Sequence, residues 1–385
     1  MRNKGQVRVL ILALLLVIAS VPAMAQLAKH SVTEFDAPGA GKVFSPVCAS
    51  AFLGFLGCGT TPLANNDLGM VVGTYSDKNI VLHGFLRTSD GNITSLDAPG
   101  AGQQAAQGTA AYAINDLGVI AGTFQDSSNV YHGFLLSPYG NYITIDVLGE
   151  GTGPQQGALA TNVNLVGTVA GSYIDGNGVN HGFVGSPDSG FTPFDPPGSV
   201  FTYPCEETCL GLDGTVIGFF SDANGTAHGF VRTPDGNIAV IDAPGAGTGS
   251  GLGTVAASIN WAGVITGYSV DSNNVAHGFV RNLDGSFATF DDPKASQAPG
   301  AGTAAFSINL FGATTGAYWD ANFAAHGFER GPSGKFTNFN VPRAGRGAGQ
   351  GTRPSTNNLW GAVTGWYIDA RNVNHGFVWM PDEER

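Results

Sequence analysis

Asp126-Ser127-Ser128-Asn129-Val130-Tyr131-His132-Gly133-Phe134 is one copy of a pattern that runs through the whole chain. The string His-Gly-Phe begins at His83, His132, His181, His228, His277, His326 and His375, with successive spacings of 49, 49, 47, 49, 49 and 49 residues. A period of about 40 to 50 residues marks an array of supersecondary units, each the length of a four-stranded propeller blade. Working outward from His132, residues 109–115, 118–126, 130–136 and 141–146 read as four short strands. The segments between them, Asn115-Asp116-Leu117-Gly118, Asp126-Ser127-Ser128-Asn129 and Pro138-Tyr139-Gly140, hold residues that favour tight turns or tolerate positive φ. Strands joined this way form an antiparallel meander, and Asp90-Gly91, Asp235-Gly236 and Asp284-Gly285 repeat the hairpin signal elsewhere.

The two ends of the pattern complement one another. After Phe377 only Val378 to Arg385 follow, so the last repeat lacks a fourth strand, whereas Ser31-Val32-Thr33-Glu34-Phe35-Asp36 has the alternation of one. Phe35-Asp36-Ala37-Pro38-Gly39 matches Leu96-Asp97-Ala98-Pro99-Gly100 and Ile241-Asp242-Ala243-Pro244-Gly245, which end fourth strands. The expectation is an all-β, seven-bladed β-propeller over residues 26–385, four antiparallel strands per blade, closed by the N-terminal strand. Closure hides sheet edges. An open solenoid is the alternative, but it has no need of a displaced terminal strand.

Residues 1–25 read as a signal peptide: Arg2, Lys4 and Arg8 precede an apolar run from Val9 to Ala19, and Ala23-Met24-Ala25 fits a cleavage site. The run is short for a membrane span, and no second one exists. Losing three basic residues and no acid takes the formal charge from −12 to −15. Scattered cations amid 29 acidic residues argue against nucleic acid. A secreted or periplasmic, soluble, monomeric protein is expected.

The recurring Ile-Asn, Gly-rich strand and His motif resemble the extracellular repeats of the HAF family, named for a His-Ala-Phe string. This chain carries Gly in place of the Ala at all seven centres, for example Gly133 and Gly278. The resemblance implies export and repetition, and no reaction or ligand.

Each motif His has an Asp six positions earlier: Asp77, Asp126, Asp175, Asp222, Asp271, Asp320 and Asp369. A carboxylate can orient an imidazole acting as general base. No nucleophile recurs with the pair, so the reading adopted is structural: the His fixes the hairpin, the Gly admits the adjoining sheet, and the Phe fills the space between repeats. Asp175-Gly176-Asn177-Gly178 and Asp222-Ala223-Asn224-Gly225 lack the oxygen ligands of a calcium loop. Pro99-Gly100-Ala101-Gly102 and Pro244-Gly245-Ala246-Gly247 lack the helix and Lys of a phosphate loop. No cofactor or metal is expected.

Function is sought where the symmetry breaks. Connections from the fourth-strand Asp to the next first-strand Asn usually span 18 residues, but Asp36 to Asn66 spans 30. The 12 extra residues lie in the segment holding Cys48 and Cys58, with Phe44, Phe52 and Phe55. Asp195 to Gly211 is two residues short and contains Cys205-Glu206-Glu207-Thr208-Cys209. Pairing of Cys48 with Cys58 and of Cys205 with Cys209 is the first choice among three connectivities, with a Cys205/Cys209 zinc site as the rival. Both loops belong to the face bearing the Asp turns, so that face is the expected recognition surface, with Phe44, Phe52, Phe55, Glu150, Glu206 and Glu207 as candidate ligand contacts and a glycan or protein as ligand. The function expected is an extracellular binding or structural interaction module. The alternative is a carbohydrate-active hydrolase or lyase using carboxylates of non-equivalent repeats.

Overall fold

In the second repeat, strands occupy Gly108–Ile114, Ile120–Gln125, Tyr131–Leu136 and Tyr142–Ile145, each pairing antiparallel with the next. These lie within a residue or two of the segments read from turn chemistry. The computed structural model describes residues 31–47, 57–204 and 208–381. Among them are 28 strands and no helix, arranged in two large sheets. Residues 32–380 form one body.

The turns explain the regularity. Asn115 Oδ1 accepts the N–H groups of Leu117 and Val119, both at 3.0 Å, and Asp126 Oδ1 accepts those of Ser128 and Val130 at 2.8 and 2.9 Å. Each side chain satisfies donors that the reversal frees from the ladder.

Successive repeats meet at a single parallel bridge. The residue before the motif His pairs with the first residue of the next inner strand, as in Leu82 with Gly108, Tyr131 with Gly157 and Ala276 with Gly302. That residue must be glycine: Gly108 has φ 125°, and a Cβ there would lie 1.9 Å from the Leu82 carbonyl oxygen. The fourth repeat has Phe201 in this place, paired to Ser221 as Gly157 is to Ile174. No bridge to the third repeat forms there, which is why one sheet ends at Phe201–Tyr203 and the other at Gly190–Phe194. The inner strands nevertheless continue round. Gly59 bridges Asn374, and the first repeat's inner strand lies against the last repeat, so the meanders close into a β-propeller.

Ser31–Phe35 is the outer strand beside Asn374–Met380. It is bound by more than its ladder. Tyr367 donates to Glu34 Oε2 at 2.8 Å, and the Arg87 guanidinium lies 5.0 Å from the centroid of the Phe35 ring. The strand therefore grips both the last repeat and the first.

Between repeats the core is made by the motif phenylalanines. Phe85, Phe134, Phe183, Phe230, Phe279, Phe328 and Phe377 are all fully buried, each contributing about 2 to 3 kcal/mol of burial. One neighbouring position breaks this apolar pattern. Three residues after each motif His stand Leu86, Leu135, Val184, Val231, Val280 and Val378, but the sixth repeat has Glu329. Burial raises its carboxyl from the usual 4.5 to about 7. Because the folded value lies above the unfolded one, Glu329 weakens the fold progressively as pH rises from 4.5 to 7. We expect Glu329→Gln to raise stability by about 1 to 2 kcal/mol at pH 8, discounted for partial exposure, and to leave it unchanged at pH 4. Urea titrations at the two pH values check this; equal effects at both would show that ionisation is not the cause.

Candidate functional site

On the face carrying the second-to-third-strand turns, five of the seven motif histidines, His181, His228, His277, His326 and His375, lie between two polar partners. In five repeats the closer partner is the residue fourteen positions on, at the end of the fourth strand, whereas His132 pairs with Asp126 at 3.4 Å. His83 Nδ1 lies 2.8 Å from Asp97, His181 2.7 Å from Asp195, His228 3.0 Å from Asp242, His277 2.9 Å from Asp291 and His326 2.8 Å from Asn340. His375 reaches Asp36 of the closing strand at 2.8 Å. The Asp six positions earlier is a looser partner of Nε2, from 3.1 Å for Asp320 with His326 to 3.8 Å for Asp222 with His228. Its carboxylate chiefly holds its own turn: Asp77, Asp175, Asp271 and Asp369 Oδ1 each accept two backbone N–H groups, as Asp126 does. The imidazoles also stack on a second-strand ring, with centroids 4.8 to 5.1 Å apart, for Tyr75, Phe124, Tyr173, Phe220, Tyr318 and Tyr367. Stacked on the second strand or hydrogen-bonded to the fourth, these side chains join neighbouring strands within the repeats. The fourteen-residue spacing was present in the sequence and marks the stronger partner.

The irregular connections distribute the other candidates differently. Phe44 is half exposed. Glu150 turns inward on its own loop, accepting the Val147 N–H at 3.1 Å, and burial raises its carboxyl above the usual range. Cys48, Phe52, Phe55, Cys205, Glu206 and Glu207 lie outside the described residues. The expected Cys205–Cys209 bridge is corrected by the inner strand: Cys209 is a free thiol, fully buried, and packs in the apolar cluster with Leu210, Ile217 and Phe230. The register turns it into the core, where it serves as a small hydrophobe. Relative to the third repeat, the connection ending at Phe201 is five residues shorter and the segment from Phe201 to Gly211 three longer, which resolves the two-residue deficit.

The opposite face, at the first-to-second-strand turns, holds the axial opening. Asn66, Asn115, Asn164, Asn260, Asn309 and Asn358 occupy equivalent turn positions around it. Each donates its Nδ2–H to the backbone carbonyl of the equivalent residue in the next repeat: Asn66 to Asn115 at 3.0 Å, Asn115 to Asn164 at 2.9 Å, Asn164 to Gly211 at 3.0 Å, Asn260 to Asn309 at 3.0 Å, Asn309 to Asn358 at 3.2 Å and Asn358 to Asn66 at 3.0 Å. Gly211 has no side chain to continue the girdle, so the link to Asn260 is missing.

Below the girdle is a cavity of about 150 Å³. Its wall combines Ala113, Ile114, Val163, Leu210, Ile259 and Ile308 with Asn65, Asn162, Asn357, Thr208 and Thr356. At six of the seven girdle positions the following residue lines the rim: Asp67, Asp116, Leu165, Trp261, Leu310 and Leu359. The next residues include Leu68, Leu117, Val166, Phe311 and Trp360, all exposed, with Leu117 63% and Phe311 66% accessible. Apolar side chains at tight turns are unusual, since turn tips face water, and several exposed on equivalent turns of one ring make a candidate recognition surface. The sequence carried this signal in Asn-Trp-Ala-Gly, Asn-Leu-Phe-Gly and Asn-Leu-Trp-Gly. These turns keep the regular repeat spacing, so composition alone distinguishes them.

Two acids interrupt the rim. Asp116 Oδ1 accepts the Asp67 N–H at 2.8 Å, and Asp67 Oδ1 accepts the Leu359 N–H at 2.7 Å, across the seam between last and first repeats. Trp360 Nε1 donates to the Asp67 carbonyl at 3.0 Å. Burial, followed by the neighbouring Asp116, raises the Asp67 carboxyl to about 6; burial also raises Asp116. Among the described residues, no group of three or more His, Cys, Asp or Glu side chains is arranged to hold a metal ion.

Solved structures superpose on most of the chain. A lectin from Burkholderia pseudomallei superposes with a TM-score of 0.55 at 12% identity, over 82% of this chain and 93% of that one. A puromycin hydrolase superposes with a TM-score of 0.51 at 13% identity over 88% of this chain, which spans 54% of the hydrolase. At such identity the likeness concerns the fold. No protein-family model matches the chain, and no curated protein does.

Two consequences of this geometry are measurable. Gly211→Asn should supply the missing girdle link, with Asp213→Ala added because a Cβ at 211 would sit 2.8 Å from Asp213 Oδ1. The double variant then mirrors Asn260-Trp261-Ala262 more closely and should gain about 1 kcal/mol in denaturant unfolding; a loss would mean that the gap is required by the fourth repeat. The hydrogen bond to Asp36 raises the His375 pKa. Its contribution to closure is therefore complete below the unfolded value of about 6.5, while Asp36 stays ionised, and is lost as pH rises through the folded value. His375→Gln should therefore cost more stability at pH 5.5 than at pH 9, as read from urea midpoints at the two pH values.

Proposed function

We propose that this protein is a secreted or periplasmic binding module, a propeller of seven blades, one for each His-Gly-Phe motif, that engages a ligand at the mouth of its axial cavity. The observation that carries the reading is the ring of exposed aliphatic and aromatic side chains on turns that elsewhere in proteins are polar. It lies beside an acidic pair that the other repeats do not share, so it is a feature of the assembled ring. Membership of the HAF-type repeat group, a Cys48–Cys58 disulfide and a monomeric state belong to the same proposal. Among the described residues no helix is long and apolar enough to cross a membrane.

The similar fold of a lectin supports testing carbohydrates first, with proteins as the other ligand class. A hydrolase or lyase reading is not favoured, because Asp116 Oδ1 accepts the Asp67 N–H at 2.8 Å and the two acids sit side by side, whereas glycosidase carboxylates stand roughly 5 to 10 Å apart to flank the scissile bond. A glycan array followed by a reducing-sugar release assay separates these activities. Binding without turnover is expected, weakened at least about tenfold by Trp261→Ala or Phe311→Ala and unchanged by Phe44→Ala. Binding lost only in Phe44→Ala would move the site to the opposite face.

A further inference from the structure

The mouth has a charge that nothing in its own lining balances. Asp67 and Asp116 are neighbours on its rim, and none of the residues lining the cavity is Lys, Arg or His. The remainder of the rim offers little to a polyhydroxylated ligand: Leu165, Leu310 and Leu359 bring no hydrogen-bonding side chain, and Trp261 adds one indole N–H. The wall amides below are already engaged. Asn65 donates to the Ala362 carbonyl and accepts from Thr356, both at 2.9 Å, and Asn357 accepts from Ser307 and donates to the Ala313 carbonyl at the same distance. What is left is an apolar collar, one acidic side and a recess about the size that admits a single small ring or side chain.

We propose that the axial mouth receives one lysine or arginine side chain from an apolar segment of a partner protein, with the cationic head between Asp67 and Asp116 and the flanking residues on Trp261, Leu310 and Leu359. This rests on the reading of the turn face as the binding face. Charge complementarity selects the cation, and the Leu-rich collar selects a protein segment over a sugar. It also predicts coupled proton release. The elements facing the pair contribute Leu165, Trp261, Leu310 and Leu359, none of which titrates, while Asp213 on the fourth repeat's turn binds the N–H and hydroxyl of Thr215. The arriving cation thus competes with the proton retained by the Asp67–Asp116 pair near pH 6.

The test uses the full chain and short fluorescein-labelled peptides with a central lysine flanked by leucines, alongside versions with arginine, norleucine or glutamate at the centre. Fluorescence anisotropy should show binding of the lysine and arginine probes, at least about tenfold tighter than norleucine, with affinity rising about tenfold between pH 5 and pH 7 as one proton is released. Asp67→Asn and Asp116→Asn, which keep the N–H acceptors, should each lose most of that gain and flatten the pH dependence while retaining the parent Tm. Equal binding of the norleucine probe, abolished by Trp261→Ala, would overturn the cation and leave the turn face as the binding face. Glycan binding sensitive to Trp261→Ala with no peptide binding would overturn the protein partner. No binding of any cationic probe at about millimolar concentration would overturn the proposal outright.

Discussion

The ring depends on one side chain used twice. At each girdle position Asn Oδ1 accepts two N–H groups of its own turn, and Nδ2 donates to the carbonyl of the next repeat, as in Asn115 with Leu117, Val119 and Asn164. The same residue therefore shapes the turn within a repeat and sets the step to its neighbour. Asp would provide the first function but not the second, because a carboxylate has no N–H to donate. The last link, Asn358 to Asn66, is made between residues 292 positions apart, and it is indistinguishable in kind from the links between consecutive repeats.

Two substitutions in the fourth repeat disturb this order in different places. Phe201 replaces the glycine that permits the parallel bridge, and Gly211 replaces the asparagine that carries the girdle onward. The repeat stays in the ring because its phenylalanine core is intact: Phe230 is fully buried against Ile241, Ile217 and their neighbours. The seam between the chain's last and first repeats is reinforced by contrast. Besides Asn358 and Asp67, it carries Asn65 with Thr356, Ser355 with Leu63 and Asn374 with Thr61. Closing a ring between distant segments costs loop entropy that neighbouring repeats do not incur, and these polar contacts help to offset it.

The two faces divide the polar residues by role. On one, histidines and carboxylates recur in almost every repeat and are consumed by joining strands. On the other, the recurrent asparagines are consumed by the girdle, and the variable residues beside them remain available at the mouth. Repetition identifies residues that build the ring; variation at a repeated, exposed position identifies residues free to recognise something.

The sequence alone determined the repeat length, the four-strand meander, the placement of turns and the displacement of the fourth strand to the N-terminal end, because these follow from local patterns of Gly, Asn, Asp and alternating apolar residues. It also contained the His to Asp spacing of fourteen, but a spacing does not reveal which of two carboxylates is nearer until the hairpin registers are known. Tertiary structure decided that Cys209 faces the core, since three residues inserted into an inner strand change which way each side chain points. It alone also decided that Asp67 and Asp116 meet on one rim and that Trp261, Leu310 and Leu359 complete it. Those residues come from different repeats, as many as 292 positions apart along the chain, and only closure of the ring about its axis brings them together.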